Sequence, residues 1–107
     1  MKYRNMTFAL AGLFFAILAA PVKSADTDTV DIRNFAFSPT SVTVSAGTTV
    51  TWKNLDGEPH TVVSNDGLFR SDALDQNDSF KFKFDKPGTY GFICSIHPTM
   101  HGTIVVK

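Results

Sequence analysis

The chain has 107 residues, of which 43% are hydrophobic, and its ten basic and ten acidic side chains leave no formal net charge. A chain of this size forms one domain with a small core, which excludes a multidomain protein. The balanced charge also lacks the basic footprint of a nucleic-acid-binding protein.

The N-terminal residues have the composition of a secretory signal peptide. Lys2 and Arg4 give a basic start, Phe8–Ala20 follows without a charge, and small residues lie around Ser24, where a signal peptidase would cut. The 13 apolar residues fall short of the roughly 20 that span a bilayer. We therefore predict a cleaved signal peptide at 1–24, export to the periplasm, and a mature protein without a membrane anchor.

The mature chain, residues 25–107, keeps 7 basic and 10 acidic residues, so its net charge is near −3. It has one cysteine, Cys94, and cannot form the internal disulfides that usually stabilise small secreted domains. A lone thiol in an oxidising compartment is a liability unless something holds it. Cys94 is therefore the first candidate for a functional residue.

Short runs of alternating apolar and polar side chains, separated by turn signals, fill residues 25–107. β-Branched and aromatic residues at period two, with turns at short intervals, predict an antiparallel sandwich or barrel. No stretch shows a convincing helical period, and 68–77 is predicted to be the least regular part. In chain order, the predicted strands are marked by Val30 and Ile32, Val42 and Val44, Val50 and Trp52, Thr61 to Ser64, Phe80 to Phe84, Thr89 to Cys94, and Gly102 to Val106.

One predicted strand has an aromatic face and a basic face. Phe80, Phe82 and Phe84 alternate with Lys81 and Lys83. Burial of the three rings, at about 25 cal/mol per Å² of apolar area, is a main source of stability for so small a domain. The two lysines are predicted to form the solvated face.

The metal-ligating residue types are concentrated in two places. The whole chain has three histidines and one cysteine, and its mature part has one methionine. Thiolate and thioether are soft donors that suit copper, and two histidines with a cysteine and a weak axial methionine form the donor set of a blue-copper site. The residues concerned are His60 and, within the run 94–101, Cys94, His97, Met100 and His101.

The spacing of these residues allows them to meet. Cys94 ends one predicted strand and Met100 precedes the next, so 95–101 is predicted to form a tight loop at one end of the domain. His60 lies at the start of a neighbouring predicted strand. Because His101 directly follows Met100, its side chain is predicted to point away from the metal and to be exposed.

A longer pattern spans nearly the whole mature chain. It consists of Val50-Thr51-Trp52-Lys53-Asn54, Pro59-His60, Tyr90-Gly91-Phe92-Ile93-Cys94, His97, Met100 and Gly102. The pattern resembles the cupredoxins, and above all the amicyanins, in which the ligand spacing is also Cys-x₂-His-x₂-Met. Plastocyanins and pseudoazurins usually place more residues between the second histidine and the methionine.

This resemblance implies a Greek-key antiparallel β-sandwich of seven or eight strands that binds one type 1 copper ion. It implies a protein that is not an enzyme and shuttles single electrons between periplasmic redox partners through Cu(I) and Cu(II). We expect transient donor and acceptor proteins, no nucleic acid, no membrane contact after signal cleavage, and a monomer. The copper ligands that the resemblance implies are His60, Cys94, His97 and Met100.

Two residues depart from the family pattern. Many cupredoxins have an asparagine directly after the first histidine, where its amide braces the ligand loop, and this chain has Thr61. Amicyanins have a proline where this chain has Ile96. Both differences are expected to alter the reduction potential, which depends on hydrogen bonding near the sulfur and on burial.

Two other functions use the same residues. A periplasmic copper carrier or storage protein would share the ligands, although proteins that handle Cu(I) tend to repeat methionine or histidine donors. An enzyme with a Cys94–His97 nucleophilic pair would need an oxyanion site and a substrate cleft. The sequence contains no signal for either of these.

Overall fold

The computed structural model describes residues 28–107, so the predicted signal peptide and its cleavage site lie outside the described residues. Within that range, no helix has the length and apolar character that crossing a membrane requires. The described residues form eight strands, namely β1 (Thr29–Arg33), β2 (Ala36–Ser38), β3 (Ser41–Val44), β4 (Thr48–Asn54), β5 (Val63–Ser64), β6 (Ser79–Phe84), β7 (Gly88–Ile93) and β8 (His101–Val106).

The eight strands form two four-stranded sheets, which confirms the predicted all-β sandwich. One sheet has the order β2-β1-β4-β6, and the other has the order β3-β8-β7-β5. The sheets meet through their aromatic residues, since the rings of Trp52 on β4 and Phe92 on β7 lie 5.4 Å apart. The predicted strand from Thr61 to Ser64 is shorter in the structure, where β5 contains only Val63 and Ser64.

Both sheets are mixed, whereas the sequence pattern predicted antiparallel pairing. Four of the six strand pairs are antiparallel, but β1 with β4 and β3 with β8 run parallel. Alternating apolar residues specify which face of a strand is buried, and that pattern is the same for either strand direction. The direction follows from the chain path instead. β2 turns back beside β1, β3 then crosses to the other sheet, and β4 comes back to the first sheet, where it runs parallel to β1.

Trp52 is the centre of the core. Its side chain is completely buried, and its indole lies 5.4–6.4 Å from the rings of four phenylalanines, which come from both sheets and from the 65–78 segment. Aromatic pairs at such distances contribute about 0.5–1.5 kcal/mol each beyond the area they bury. The four phenylalanines are Phe69, Phe80, Phe84 and Phe92.

The aromatic face of β6 packs on this core, as the alternation predicted. Phe84 is buried, and Phe80 and Phe82 are half-buried against the core cluster. The two half-buried rings reflect the position of β6 at the edge of its sheet, where β4 is its only neighbour in the strand order. Lys81 and Lys83 are exposed on the opposite face, as predicted.

Three connections meet at one end of the sandwich. They are the β1–β2 turn at 34–35, the loop at 55–60 that follows β4, and the loop at 94–100 between β7 and β8. The ring of Phe35 in the first lies 5.1 Å from the ring of His60 and 4.9 Å from the ring of His97. The fold therefore brings one segment from each sheet, with a covering turn, to a common point.

Gly102 is the residue that permits close packing beside this end. A Cβ atom at Gly102 would lie 2.6 Å from the Phe92 ring and 2.8 Å from the carbonyl oxygen of Thr40. We expect Gly102→Ala to lower the free energy of unfolding by about 1–3 kcal/mol, the usual cost of overpacking, as measured by urea unfolding. Gly57→Ala is the control, because a Cβ at Gly57 meets nothing within 4 Å; equal unfolding midpoints for the two variants would contradict the prediction.

Candidate metal centre

The 94–100 loop is held closed by its own main chain. The Cys94 N–H donates to the carbonyl oxygen of Met100 at 3.1 Å, and the Met100 N–H donates to that of His97 at 2.9 Å. Ile93 on β7 pairs with His101 on β8 across the base of the loop. Three of the predicted ligands are thus fixed on a short closed loop, with Cys94 directly after one strand and Met100 directly before the next.

Asn54, at the end of β4, organises the other ligand-bearing loop. Its buried side-chain amide donates to the carbonyl oxygens of Glu58 and Leu74, both at 2.8 Å, and its Oδ1 accepts from the Asp56 N–H at 3.0 Å. His60 exchanges main-chain hydrogen bonds with Leu74 in both directions, at 3.1 and 2.7 Å. This bridge, rather than a continuous strand, sets the position of His60, whose side chain is completely buried.

These loops bring the predicted thiolate and imidazole ligands together. The Sγ atom of Cys94 lies 3.8 Å from Nδ1 of His60 and 3.8 Å from Nδ1 of His97. The three ligand atoms all lie within 4.8 Å of one another. Met100 is 4% exposed, and its main chain is bonded to Cys94 and to His97.

The spacing of these atoms fits a first-row transition metal. Bond lengths of about 2.3 Å to sulfur and about 2.0–2.1 Å to nitrogen, as for zinc, separate the two atoms by about 3.7–3.8 Å at a trigonal ion. The two Sγ–Nδ1 distances agree with that value. A soft thiolate with two imidazoles and a nearby thioether is the donor set that copper prefers.

Hydrogen bonds surround the Cys94 sulfur. The Thr61 N–H donates to Sγ at 3.4 Å, and the Thr61 hydroxyl lies 3.8 Å from it. The same hydroxyl accepts from the Ser95 N–H at 2.8 Å. Thr61 therefore ties the His60 segment to the ligand loop, from the position where many cupredoxins have a bracing asparagine.

The thiol of Cys94 ionises more readily than that of a free cysteine. Burial alone raises the pKa of a thiol, but hydrogen bonds to the sulfur, the first of them from the Thr61 N–H, outweigh burial and lower the pKa of Cys94 from 9.0 to about 6. Because the thiolate is the form that binds a metal, Cys94 is a competent ligand at neutral pH before any ion arrives.

Asp56 is a functional residue that the sequence analysis missed. Its Oδ2 lies 2.9 Å from Nε2 of His60. An ionised carboxylate only accepts, so Nε2 carries the proton and the lone pair of Nδ1 is free to face the sulfur. Burial raises the pKa of Asp56, but hydrogen bonds from Phe35, His60 and Asn34 hold that pKa below 3.8. The signal in the sequence was a carboxylate four residues before a histidine, which is too common a spacing to single out.

Phe35 also escaped the sequence analysis. The sequence analysis gave it no role, yet its ring makes edge contacts with both His60 and His97, whose own rings lie 5.0 Å apart. Its side chain is 47% exposed, and that of Ile96 is 46% exposed. His97 is half-buried, and His101 is exposed, as predicted. Among the four predicted ligands, His97 is therefore the most exposed to solvent.

Comparisons with known proteins point in the same direction. The family description of a cupredoxin-like domain matches residues 6–106. The chain is 36% identical to amicyanin-alpha of Methylorubrum extorquens, with 96% of this chain and 89% of that protein covered. It is 42% identical to the plastocyanin of Scenedesmus fuscus, with 72% and 92% covered. A methionine-to-alanine variant of amicyanin, solved in its Cu(I) form, superposes with a TM-score of 0.72 at 27% identity, covering 80% of this chain and 87% of that one.

The low pKa of Cys94 can be tested in the metal-free protein. We expect the ultraviolet absorbance of its thiolate to titrate with a midpoint of about pH 6, and the rate of alkylation to follow the same curve. His97→Ala removes one of the stabilising hydrogen bonds and should move the midpoint upward. The protein unfolded in guanidinium chloride is the control, with an expected midpoint of about 8.5; a folded protein that titrates with the unfolded one would contradict the prediction.

Proposed function

The chain belongs to the cupredoxin-like family, and on this premise we propose that it is a type 1 copper protein that carries one electron at a time. The proposed ligands are His60, Cys94, His97 and Met100. The observation that carries the proposal is the buried Cys94 sulfur with one imidazole nitrogen from each loop 3.8 Å away. The proposal assigns the chain the role of an electron carrier rather than that of an enzyme.

The role of the protein is to hold the ligand atoms nearly still. Copper supplies the one-electron chemistry, since it cycles between Cu(I) and Cu(II). Cys94 is held by the Thr61 N–H and by its own bond to Met100, and His60 is held by Asp56 and by the bridge to Leu74. Ligands fixed by packing and hydrogen bonds rearrange little between the two charge states, and a small rearrangement favours fast electron transfer.

Electrons enter and leave at the edge of His97. His60 and Cys94 are completely buried, whereas His97 is only half-buried, so His97 is the imidazole that a partner can approach. The exposed side chains of Phe35 and Ile96 add apolar area nearby. Small apolar patches of this kind suit redox partners, whose encounters bury little area and dissociate quickly.

The remaining parts of the proposal concern location and assembly. The basic start and the short apolar run before Ser24 support export by a signal peptide at 1–24, and the mature domain at 25–107 would then work in the periplasm as a monomer. Its partners are transient electron donors and acceptors. Neither nucleic acid nor membrane is among them.

The visible spectrum tests the proposed function. We expect one equivalent of Cu(II) to give an intense blue thiolate-to-copper band that bleaches with ascorbate and returns on oxidation. Cys94→Ser should abolish the band, because the band needs the sulfur. Met100→Leu should retain copper and raise the reduction potential, because a weak axial donor to Cu(II) is lost. A wild-type protein that binds Cu(I) tightly but gives no blue band with Cu(II) would instead indicate a copper carrier.

The patch beside His97 makes a separate prediction. Electron self-exchange between reduced and oxidised copies, measured by NMR line broadening, needs no identified partner. We expect Ile96→Lys to slow it about tenfold or more, because like charges brought together cost several kcal/mol and 1.4 kcal/mol is a factor of ten. Leu68→Lys is the matched control, since Leu68 is equally exposed at 47% but lines a groove with Phe82 and Tyr90. Equal slowing by both variants would show that the patch is not the surface through which two copies exchange electrons.

A further inference from the structure

We propose that Asp56 is a positioning residue whose single carboxylate holds both the buried ligand ring, His60, and the covering ring, Phe35, at the metal centre. The inference rests on the proposed function for its purpose, but its structural content stands on the metal-free protein. Asp56 is not itself one of the proposed copper ligands, and it acts through the rings of His60 and Phe35.

The carboxylate is the meeting point of three donors. Oδ2 accepts from Nε2 of His60 at 2.9 Å and from the main-chain N–H of Phe35 at 2.9 Å. Oδ1 accepts from the main-chain N–H of Asn34 at 2.7 Å. The side chain of Asp56 is 14% exposed and that of His60 is completely buried, so the bond between them is partly shielded from water, whereas the two bonds to the turn are exposed. The Asp56 N–H donates to Oδ1 of Asn54, and this bond fixes the main chain from which the carboxylate extends.

The turn that supplies two of these donors needs the carboxylate. Asn34 and Phe35 both have positive φ angles, of 53° and 58°. This region is uncommon for residues other than glycine and asparagine, so Phe35 in particular is strained there, and such a conformation persists only where the surroundings hold it. Successive N–H groups in such a turn form an anion-binding concavity. Asp56 is the anion in that concavity, and it compensates for the backbone strain with two charge-assisted bonds.

The strained turn determines where the Phe35 ring lies. With the backbone held at these angles, the ring sits edge-on to His60 at 5.1 Å and to His97 at 4.9 Å. It therefore limits rotation of both imidazoles and keeps water from the space between them. The same carboxylate selects the Nε2–H form of His60, which leaves Nδ1 directed at the sulfur. Loss of Asp56 should release both rings together.

The charge of Asp56 gives the site a second property. A carboxylate hydrogen-bonded to a ligating imidazole makes that imidazole a stronger donor, and loss of such a partner typically costs 10–100-fold in metal affinity. A negative charge and a stronger donor both favour Cu(II) over Cu(I). We therefore expect removal of Asp56 to weaken Cu(II) binding more than Cu(I) binding, and each tenfold difference raises the one-electron reduction potential by about 59 mV.

The experiment compares Asp56→Ala and Asp56→Asn with the wild-type protein, and uses Glu58→Gln as the control. Glu58 lies in the same loop and is exposed, so Glu58→Gln removes a nearby negative charge without touching either ring. The first readout is the tautomer of His60 in the metal-free protein, from long-range ¹H–¹⁵N correlation spectra. The second is the set of nuclear Overhauser contacts from Phe35 to His97. The third is the affinity for Cu(II) and for Cu(I), with the reduction potential.

We expect a single Nε2–H tautomer in the wild-type protein and in Glu58→Gln. Asp56→Ala should give mixed tautomers, weaker contacts from Phe35 to His97 and a more positive potential. The Asp56→Asn amide oxygen can still accept from His60, so this variant should keep the tautomer while the potential rises, and it replaces Asp56→Ala if that variant does not fold.

A single His60 tautomer with unchanged Phe35 contacts in Asp56→Ala would overturn the proposal, and so would an unchanged potential in Asp56→Asn. These results are distinct from a failure of the proposed function. If the wild-type protein gave no blue band but the Asp56 variants changed the tautomer and the ring contacts, the positioning role would stand and the copper assignment would be wrong.

Discussion

The position of one sulfur atom constrains this end of the molecule. Cys94 Sγ is completely buried. It accepts a hydrogen bond from the Thr61 N–H, and one imidazole from each loop faces it. A buried thiolate without such partners would be expensive, because burial disfavours the charged form. The surrounding hydrogen bonds reverse that penalty. The two loops, Thr61 and the buried His60 all supply partners that stabilise this sulfur as a thiolate.

The sulfur also links the two sheets. His60 follows β4 of one sheet, and Cys94 follows β7 of the other. An ion that binds both cross-links the two sheets, as disulfides cross-link many small secreted domains. Because a metal that binds only the folded chain contributes its binding energy to folding, the site stabilises the domain as well as serving its chemistry. This explains how a small domain without a disulfide retains a lone cysteine.

Much of the fold and the site followed from the sequence, for reasons that differ by residue. The period-two pattern identified the strands and the buried face of β6, because burial leaves a periodic trace. The rare types Cys94, His97 and Met100 stood out because their spacing is specific to a chemistry. The direction of the strands did not follow from the sequence, because apolar and polar side chains alternate in the same way in parallel and antiparallel pairs. Asp56 and Phe35 were missed because their roles depend on a contact between residues in two separate turns, and because a phenylalanine does not signal the positive φ angle that it adopts here.

The strand order has a consequence for how the site comes into being. β8 is the last of the described strands, yet it lies inside its sheet, between β3 and β7, and pairs Ile104 with Val42. Half of the sandwich therefore stays incomplete until the C-terminal residues are in place, and contacts so distant in sequence form slowly. The same final segment delivers Met100 and closes the loop around Cys94. A chain in which β8 has not yet paired consequently lacks a complete binding site, so the ion can bind there only after both sheets have formed.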